Sequence, residues 1–322
     1  MFYHTDRLDV RSNTWSDCQY GVFVDAAETF NDNTVRGTKA TPTVMPPSDG
    51  TAVNLADPVQ AAAYRNYNGM DSGDFLGAVI FYNMARSVKG NHILDNAWDG
   101  IQIAVDSFFD FDGTLSENEV LRNGRHGFYV AQQPRGDTWG SNRRIYMPII
   151  SGGKIAGNMG HAVCLDGRYV EQDLSVTYES IRGCILRDLS VMANGGLGWH
   201  DEDGVKSCIM KVHHVASTLR AMLHNVSYVD LVQGSPNVTI NGLYVIDDRD
   251  GSPGQTNELV IIGCDLGELS GLAIRAGSPA GHRRIMDTFV SDVNGSVSLV
   301  PATQGSLHID VRDRNGAVRR EP

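Results

Sequence analysis

The sequence predicts an all-β protein, a single-stranded right-handed parallel β-helix (solenoid) of about ten or more coils. Three observations predict it. Composition is turn-rich and weakly charged, with 35 Gly against 11 Pro, 20% charged and 8% aromatic residues, unlike a disordered chain, a coiled coil or a charged helical bundle. A short pattern (apolar, two variable, small polar, one variable, apolar) recurs along most of the chain. A second motif, in which Gly or Ala opens a run of alternating apolar residues, follows it in several repeats.

The first pattern is centred on Asn13, Asn33, Asn91, Asn118, Gly153, Cys184, Cys208, Asn241, Cys264 and Thr288. Most separations run from 20 to 36 residues, with one gap of 58. A period in the low twenties, irregularly lengthened, is that of a parallel solenoid with loops inserted between strands. Successive coils lie about 4.8 Å apart, so equivalent residues stack in ladders. Asn suits an inward turn because its amide both donates and accepts. Cys is small and tolerates burial, so Cys184, Cys208 and Cys264 are expected as core substitutes in the ladder. An odd total of 5 Cys with no C-x-x-C pair points to neither a disulfide framework nor a zinc knuckle.

The second motif reads Asp99-Gly100-Ile101-Gln102-Ile103, His126-Gly127-Phe128-Tyr129-Val130 and His161-Ala162-Val163-Cys164-Leu165. Alternation turns Ile101, Ile103, Phe128, Val130, Val163 and Leu165 inward and leaves Gln102, Tyr129, Cys164 and, one repeat on, His200 facing solvent. The helix thus occupies 1–309. A loop excursion at about 36–76 contains a short helix at 57–65 with Pro58 in its first turn. Residues 310–322 read as a polar, basic C-terminal tail.

Charge bounds the partners. At −11, with 27 basic and 38 acidic residues, the chain is a poor candidate for nucleic acid. No apolar run approaches the roughly 18–20 residues of a membrane span. The N-terminus lacks the basic-then-apolar layout of a secretory signal, and an extracellular or virion-associated protein reached by another route is expected. Yet the charge is uneven. Arg122, Arg125, Arg135, Arg143, Arg144 and Lys154 face a single acid, Asp137, across 120–154. Such an island suits an anionic polysaccharide, with guanidinium forks on uronate carboxylates.

Asp99, His126 and His161 precede equivalent strands and are expected in one vertical line, with Tyr129 and Gln102 beside them. A carboxylate, two imidazoles and a phenol on one open face can move protons. The bland alternative is that these stacked polar residues only satisfy turn backbone. Asp106, Asp110 and Asp112 offer oxygen ligands for Ca²⁺ without the spacing of an EF-hand loop, and no cofactor is required. The acidic residues of 99–119 also offer a carboxylate pair for hydrolysis, as does the turn at His200-Asp201-Glu202-Asp203.

With these repeats, residues 7–300 resemble the right-handed parallel β-helix superfamily of pectate lyases, polysaccharide epimerases and phage tailspikes. Residues 88–131, through Asp99-Gly100 and Arg125-His126-Gly127-Phe128, look like the catalytic rungs of mannuronan C5-epimerases and related alginate lyases. The resemblance implies that Arg125 neutralises a uronate carboxylate, that His126 takes part in proton transfer and that Asp99 lines the cleft. The family's upstream Tyr-Gly-Phe-Asp-Pro-His segment is replaced here by Leu76-Gly77-Ala78-Val79-Ile80-Phe81-Tyr82, leaving Tyr129 as the candidate phenol. Two functions are therefore expected. One is a lyase or epimerase that abstracts a proton beside a uronate carboxylate, with His126 and Tyr129 as base and acid and with Asp99 and His161 orienting. The other is a tailspike or surface spike that binds glycans, with hydrolysis or without catalysis, as a homotrimer.

Overall fold

The computed structural model describes residues 8–18, 21–39, 77–105, 114–132, 148–166, 183–195, 199, 201, 205, 207–214, 218–229, 241–247, 256–266, 274–276, 282–290, 307–312 and 318–321. It is a right-handed parallel β-helix. Among the described residues there is no helix, and so none long and apolar enough to cross a membrane. The excursion at 40–76, with its expected helix, lies outside the described residues.

Strands stack in three ladders. The first runs from Val22–Asn31 and Val79–Lys89 through Ile101–Val105, Phe128–Gln132, Val163–Asp166 and Cys208–His214 to Asn241–Asp247 and Ile274–Ala276. The second contains Thr114–Ser116, Ile149–Ser151, Gly183–Arg187, Thr218–His224 and Thr256–Ile262. The third contains Thr14–Ser16, Thr34–Arg36, His92–Leu94, Glu119–Leu121, Lys154–Ala156 and Ser190–Met192. Every pairing is parallel except the last. Val318–Glu321 pairs antiparallel with Leu307–Arg312, so the C-terminal segment expected as a tail contains paired backbone.

The interior is a column of side chains. Ile101, Ile103, Phe128, Val130, Val163 and Leu165 point inward and are buried, as the alternation predicts. They meet Leu115, Val120, Ile150 and Ile155 from the other two ladders. Each such side chain contributes about 1.5–3 kcal/mol by leaving water.

Two corners per coil turn the chain between ladders, each built on a residue in the left-handed region, with Gly153 joining Gly152 at one of them. At the first corner stand Ser12, Asp32, Gly90, Glu117, Gly152, Asp188, Asn225 and Gly263; at the second, Asp17, Gly37, Asp95, Arg122, Gly157 and Ala193. The next residue points inward and closes the corner. After the first corner this is Asn13, Asn33, Asn91 and Asn118, where the Oδ1 of Asn33, Asn91 and Asn118 accepts the backbone N–H and the Nδ2 of the preceding Asn. After the second it is Asn96, Asn123, Asn158 and Asn194, bonded in the same way.

This frame corrects part of the predicted series. Cys184 lies within a strand of the second ladder, opposite Ala221, and its corner position is taken by Leu189. Cys208 and Asn241 belong to the first ladder, in register with one another. Cys264 does occupy a corner. Its Sγ accepts from Val226 N at 3.5 Å and lies 3.5 Å from the Leu223 carbonyl, the two roles of an Asn amide. Burial pushes its thiol up to about 11.

Candidate functional site

Between the second corner and the first ladder, each coil makes a tight turn. Asp99, His126, His161 and Cys208 occupy the same place in successive turns, two residues before Ile101, Phe128, Val163 and Met210, which are in register. They form a third polar ladder. Asp99 Oδ1 accepts the His126 N–H (2.9 Å), His126 Nδ1 accepts the His161 N–H (3.0 Å), and His161 Nδ1 accepts the Cys208 N–H (3.0 Å). The vertical line expected from the sequence is present. It is not an open face, because Asp99, His126 and His161 are all buried. Their inner atoms do what asparagine does at the corners.

The hydrogen bonds fix the tautomers. A ring nitrogen that accepts a backbone N–H holds no proton, so each neutral imidazole carries its hydrogen on Nε2. His161 Nε2 donates to Asp201 Oδ2 at 3.0 Å. The two rings stack 4.9 Å apart and 10° from parallel. Trp199 stands nearly perpendicular to both, with centroids 5.7 and 4.9 Å away. A Cβ on Gly160 would come within 3.0 Å of Trp199 and closer still to His126 Nδ1, so a bare backbone is needed there.

Outside the ladder, Gln102, Tyr129, Cys164 and Lys211 follow one another in register on the outer face of the first ladder. The solvent exposure expected of Gln102, Tyr129 and Cys164 is not found, since all three are buried. Each has a reason to be. Gln102 Oε1 accepts the Gly77 N–H, Tyr129 and Cys164 pack together, and Arg125 lies across the phenol ring at 4.4 Å. The Arg125 guanidinium also lies 5.3 Å from the Trp98 ring, with its Nε 3.5 Å from Asp99 Oδ1. Its side chain is 12% exposed. His126 completes the contact, stacked 5.7 Å from Tyr129.

A buried ion pair backs the histidines. Lys211 Nζ donates to Asp201 Oδ2, the oxygen that also receives His161 Nε2. Asp201 Oδ1 accepts the Val205 N–H at 2.8 Å. Burial pushes the Asp201 carboxyl up, but the His161 hydrogen bond and the Lys211 charge outweigh it and hold the group below its ordinary value.

Other expected residues lie elsewhere. Arg122 sits at the second corner, exposed and forked onto Asp95 at 2.6 and 2.8 Å. Lys154 is on the third ladder, in register with Glu119. Arg135, Arg143, Arg144, His200 and the Ca²⁺ candidates Asp106, Asp110 and Asp112 lie outside the described residues. Among the described residues no cluster of three His, Cys, Asp or Glu side chains could hold a metal. Sequence reasoning missed Trp98, Trp199 and Lys211. Aligning Cys208 with His161 would have placed Lys211 after Cys164; nothing local marks the tryptophans.

The architecture defines a parallel β-helix. No protein-family model matches the chain, and no curated protein matches it. Among solved structures it is similar to the one described as "Crystal structure of Agl-KA catalytic domain", with a TM-score of 0.43 and 10% identity, covering 92% of this chain and 56% of that one. The chain therefore spans little more than half the length of that structure.

Proposed function

We propose that the protein is a carbohydrate-active β-helix that acts on an acidic polysaccharide by proton transfer at the carbon beside a uronate carboxylate, as a lyase or an epimerase. One observation carries this reading. Two ladders of inward turn residues are built from neutral Asn, whereas the third does the same backbone duty with Asp99, His126 and His161. Backbone satisfaction needs no ionisable group, and ionisable groups gathered in a buried cluster mark candidate chemistry.

The geometry suggests the division of labour. A uronate carboxylate drawn to Arg125 would bring its ring to the phenol of Tyr129, which lies against the guanidinium. Arg125 would stabilise the charge that develops on the carboxylate as the neighbouring carbon loses its proton. Tyr129 is the base. His126, with Nδ1 occupied and hydrogen on Nε2, serves as a neutral hydrogen-bond donor rather than as base. Asp99 holds both the His126 backbone and Arg125 Nε. Arg135, Arg143 and Arg144 would add counter-charge for the polymer.

The test incubates the protein with a polyuronate panel including alginate and pectin, reading ultraviolet absorbance of unsaturated uronate and deuterium uptake from D₂O. Wild type should give one of the two signals, and Tyr129→Phe should reduce it about 10²-fold or more. Equal inertness of wild type and Tyr129→Phe across the panel overturns the reading. Burial of Asp99, His126 and His161 favours a second reading, a glycan-binding spike without turnover. Its signature would be glycan retention without product and a trimer by light scattering.

A further inference from the structure

We infer that Asp201, backed by Lys211, is a positioning residue that holds the His161 ring by its Nε2–H and so steadies the His126 ring stacked on it; this rests on the reading above, in which His126 is the hydrogen-bond donor. Asp201 and Lys211 are both buried, at 5% and 1% exposure. A buried ion pair is commonly no more stabilising than apolar residues of similar volume, so a purely structural role would not select it. Closing the turn from Asp201 to Val205 takes only Oδ1 and the Asp201 N–H, which donates to Val205 O at 3.0 Å. An asparagine would serve that turn equally well.

What a carboxylate adds lies at Oδ2. It can only accept, so it selects the His161 tautomer that donates from Nε2; an amide can rotate and offer a donor instead. The Cys208 N–H makes the same selection from the opposite side, at Nδ1. The His161 ring is thus held at both nitrogens. Lys211 keeps Asp201 ionised where burial alone would neutralise it. Orientation then passes along the stack. His161 lies parallel to His126 and donates its backbone N–H to His126 Nδ1, which leaves His126 with its hydrogen on Nε2. Trp199, two residues before Asp201, closes against both rings. One short segment therefore brings a carboxylate to one imidazole and an indole to both.

The experiment uses the full chain labelled with ¹³C and ¹⁵N, reading imidazole nitrogen shifts, with His161→Gln assigning the His161 signals. Wild type should show His161 as a single Nε2–H tautomer at neutral pH. The double variant Asp201→Asn/Lys211→Met removes both charges together and leaves no orphaned ion. Its His161 should lose the Nε2 hydrogen bond, seen as a changed Nε2 shift, while the Cys208 N–H keeps Nδ1 unprotonated. On a polyuronate that wild type turns over, its kcat should fall about 10²-fold with KM within about twofold. An Nδ1–H tautomer in wild type, or an unchanged His161 signature in the double variant, overturns the inference. Should the double variant not fold, Asp201→Asn alone is read by the same criterion. A wild type inert on every polyuronate sinks the proposed activity, while the nitrogen shifts still decide the role of Asp201.

Discussion

Asn123 accepts the backbone N–H and the side-chain amide of Asn96, and donates to Asn158 Oδ1 and the Ile93 carbonyl. Asn123→Ala strands several buried polar groups, at about 1–3 kcal/mol each before relaxation. A loss of about 3 kcal/mol is expected in urea unfolding. Asp99 behaves differently, although it sits in a ladder too. Asp99→Asn keeps an oxygen for the His126 N–H and removes only the charge beside Arg125. Stability should shift by no more than about 1 kcal/mol, while any polyuronate turnover should fall at least about tenfold. A large stability loss with turnover intact would make Asp99 purely structural. Asp201 carries a pH dependence. Its carboxyl titrates lower in the fold than in the unfolded chain, so the unfolded state binds more protons as pH falls. Its contribution is fully present above about pH 4 and is lost on further acidification. Urea midpoints should therefore fall more steeply below that pH in wild type than in Asp201→Asn/Lys211→Met, and parallel profiles would refute the assignment.

At the scale of the coil, the backbone corner sets the register. The left-handed corner residues include Ser, Asp, Glu, Arg, Ala, Asn and Gly, so no side-chain chemistry announces them. The Asn column from Asn13 to Asn118 was legible because Asn is what an inward turn wants, whereas the column from Asn96 to Asn194 emerges only in the structure. The apolar-x-x-small-x-apolar pattern also fits ordinary strand alternation, and that is why Cys184 and Cys208 were misframed. The line of Asp99, His126 and His161 was legible from the small residue that follows each. Its burial was not, because it depends on the next coil's N–H groups pointing at those side chains. Ala193 tests the corner argument. At φ 44° it stands where a Cβ is disfavoured, by about 1–2 kcal/mol. Glycine there would lose about 0.5–1 kcal/mol more chain entropy on folding. Ala193→Gly should therefore stabilise by about 0.5–1 kcal/mol, read as a raised melting temperature. Gly127 should move the other way for a reason of space. A Cβ there would stand 2.6 Å from the Ala162 carbonyl oxygen and 2.7 Å from Ile155, so Gly127→Ala should destabilise by about 1–3 kcal/mol.

Across the whole molecule, side-chain stitching is uneven. One Asn column joins coils from Asn13 to Asn118 and the other from Asn96 to Asn194, so both are present around residues 91–123. Beyond Asn194, the described corner positions pass to Val226 and to Cys264, whose sulfur contacts are 3.3–3.5 Å long. In a solenoid each coil touches only its neighbours, so local weakness permits local opening. The C-terminal coils should open first. Native-state hydrogen exchange should be slowest in His92–Leu94 and Glu119–Leu121 and faster in Thr256–Ile262 and Leu307–Arg312. Optical probes offer an independent check, because all 4 Trp lie at or before Trp199. Tryptophan fluorescence reports only the stitched part, whereas backbone circular dichroism reports every strand. Urea should lower the circular dichroism signal before the fluorescence. Coincident midpoints with uniform exchange protection would mean that apolar stacking alone carries cooperativity along the helix, and that the asparagine columns serve the turns without tying coil to coil.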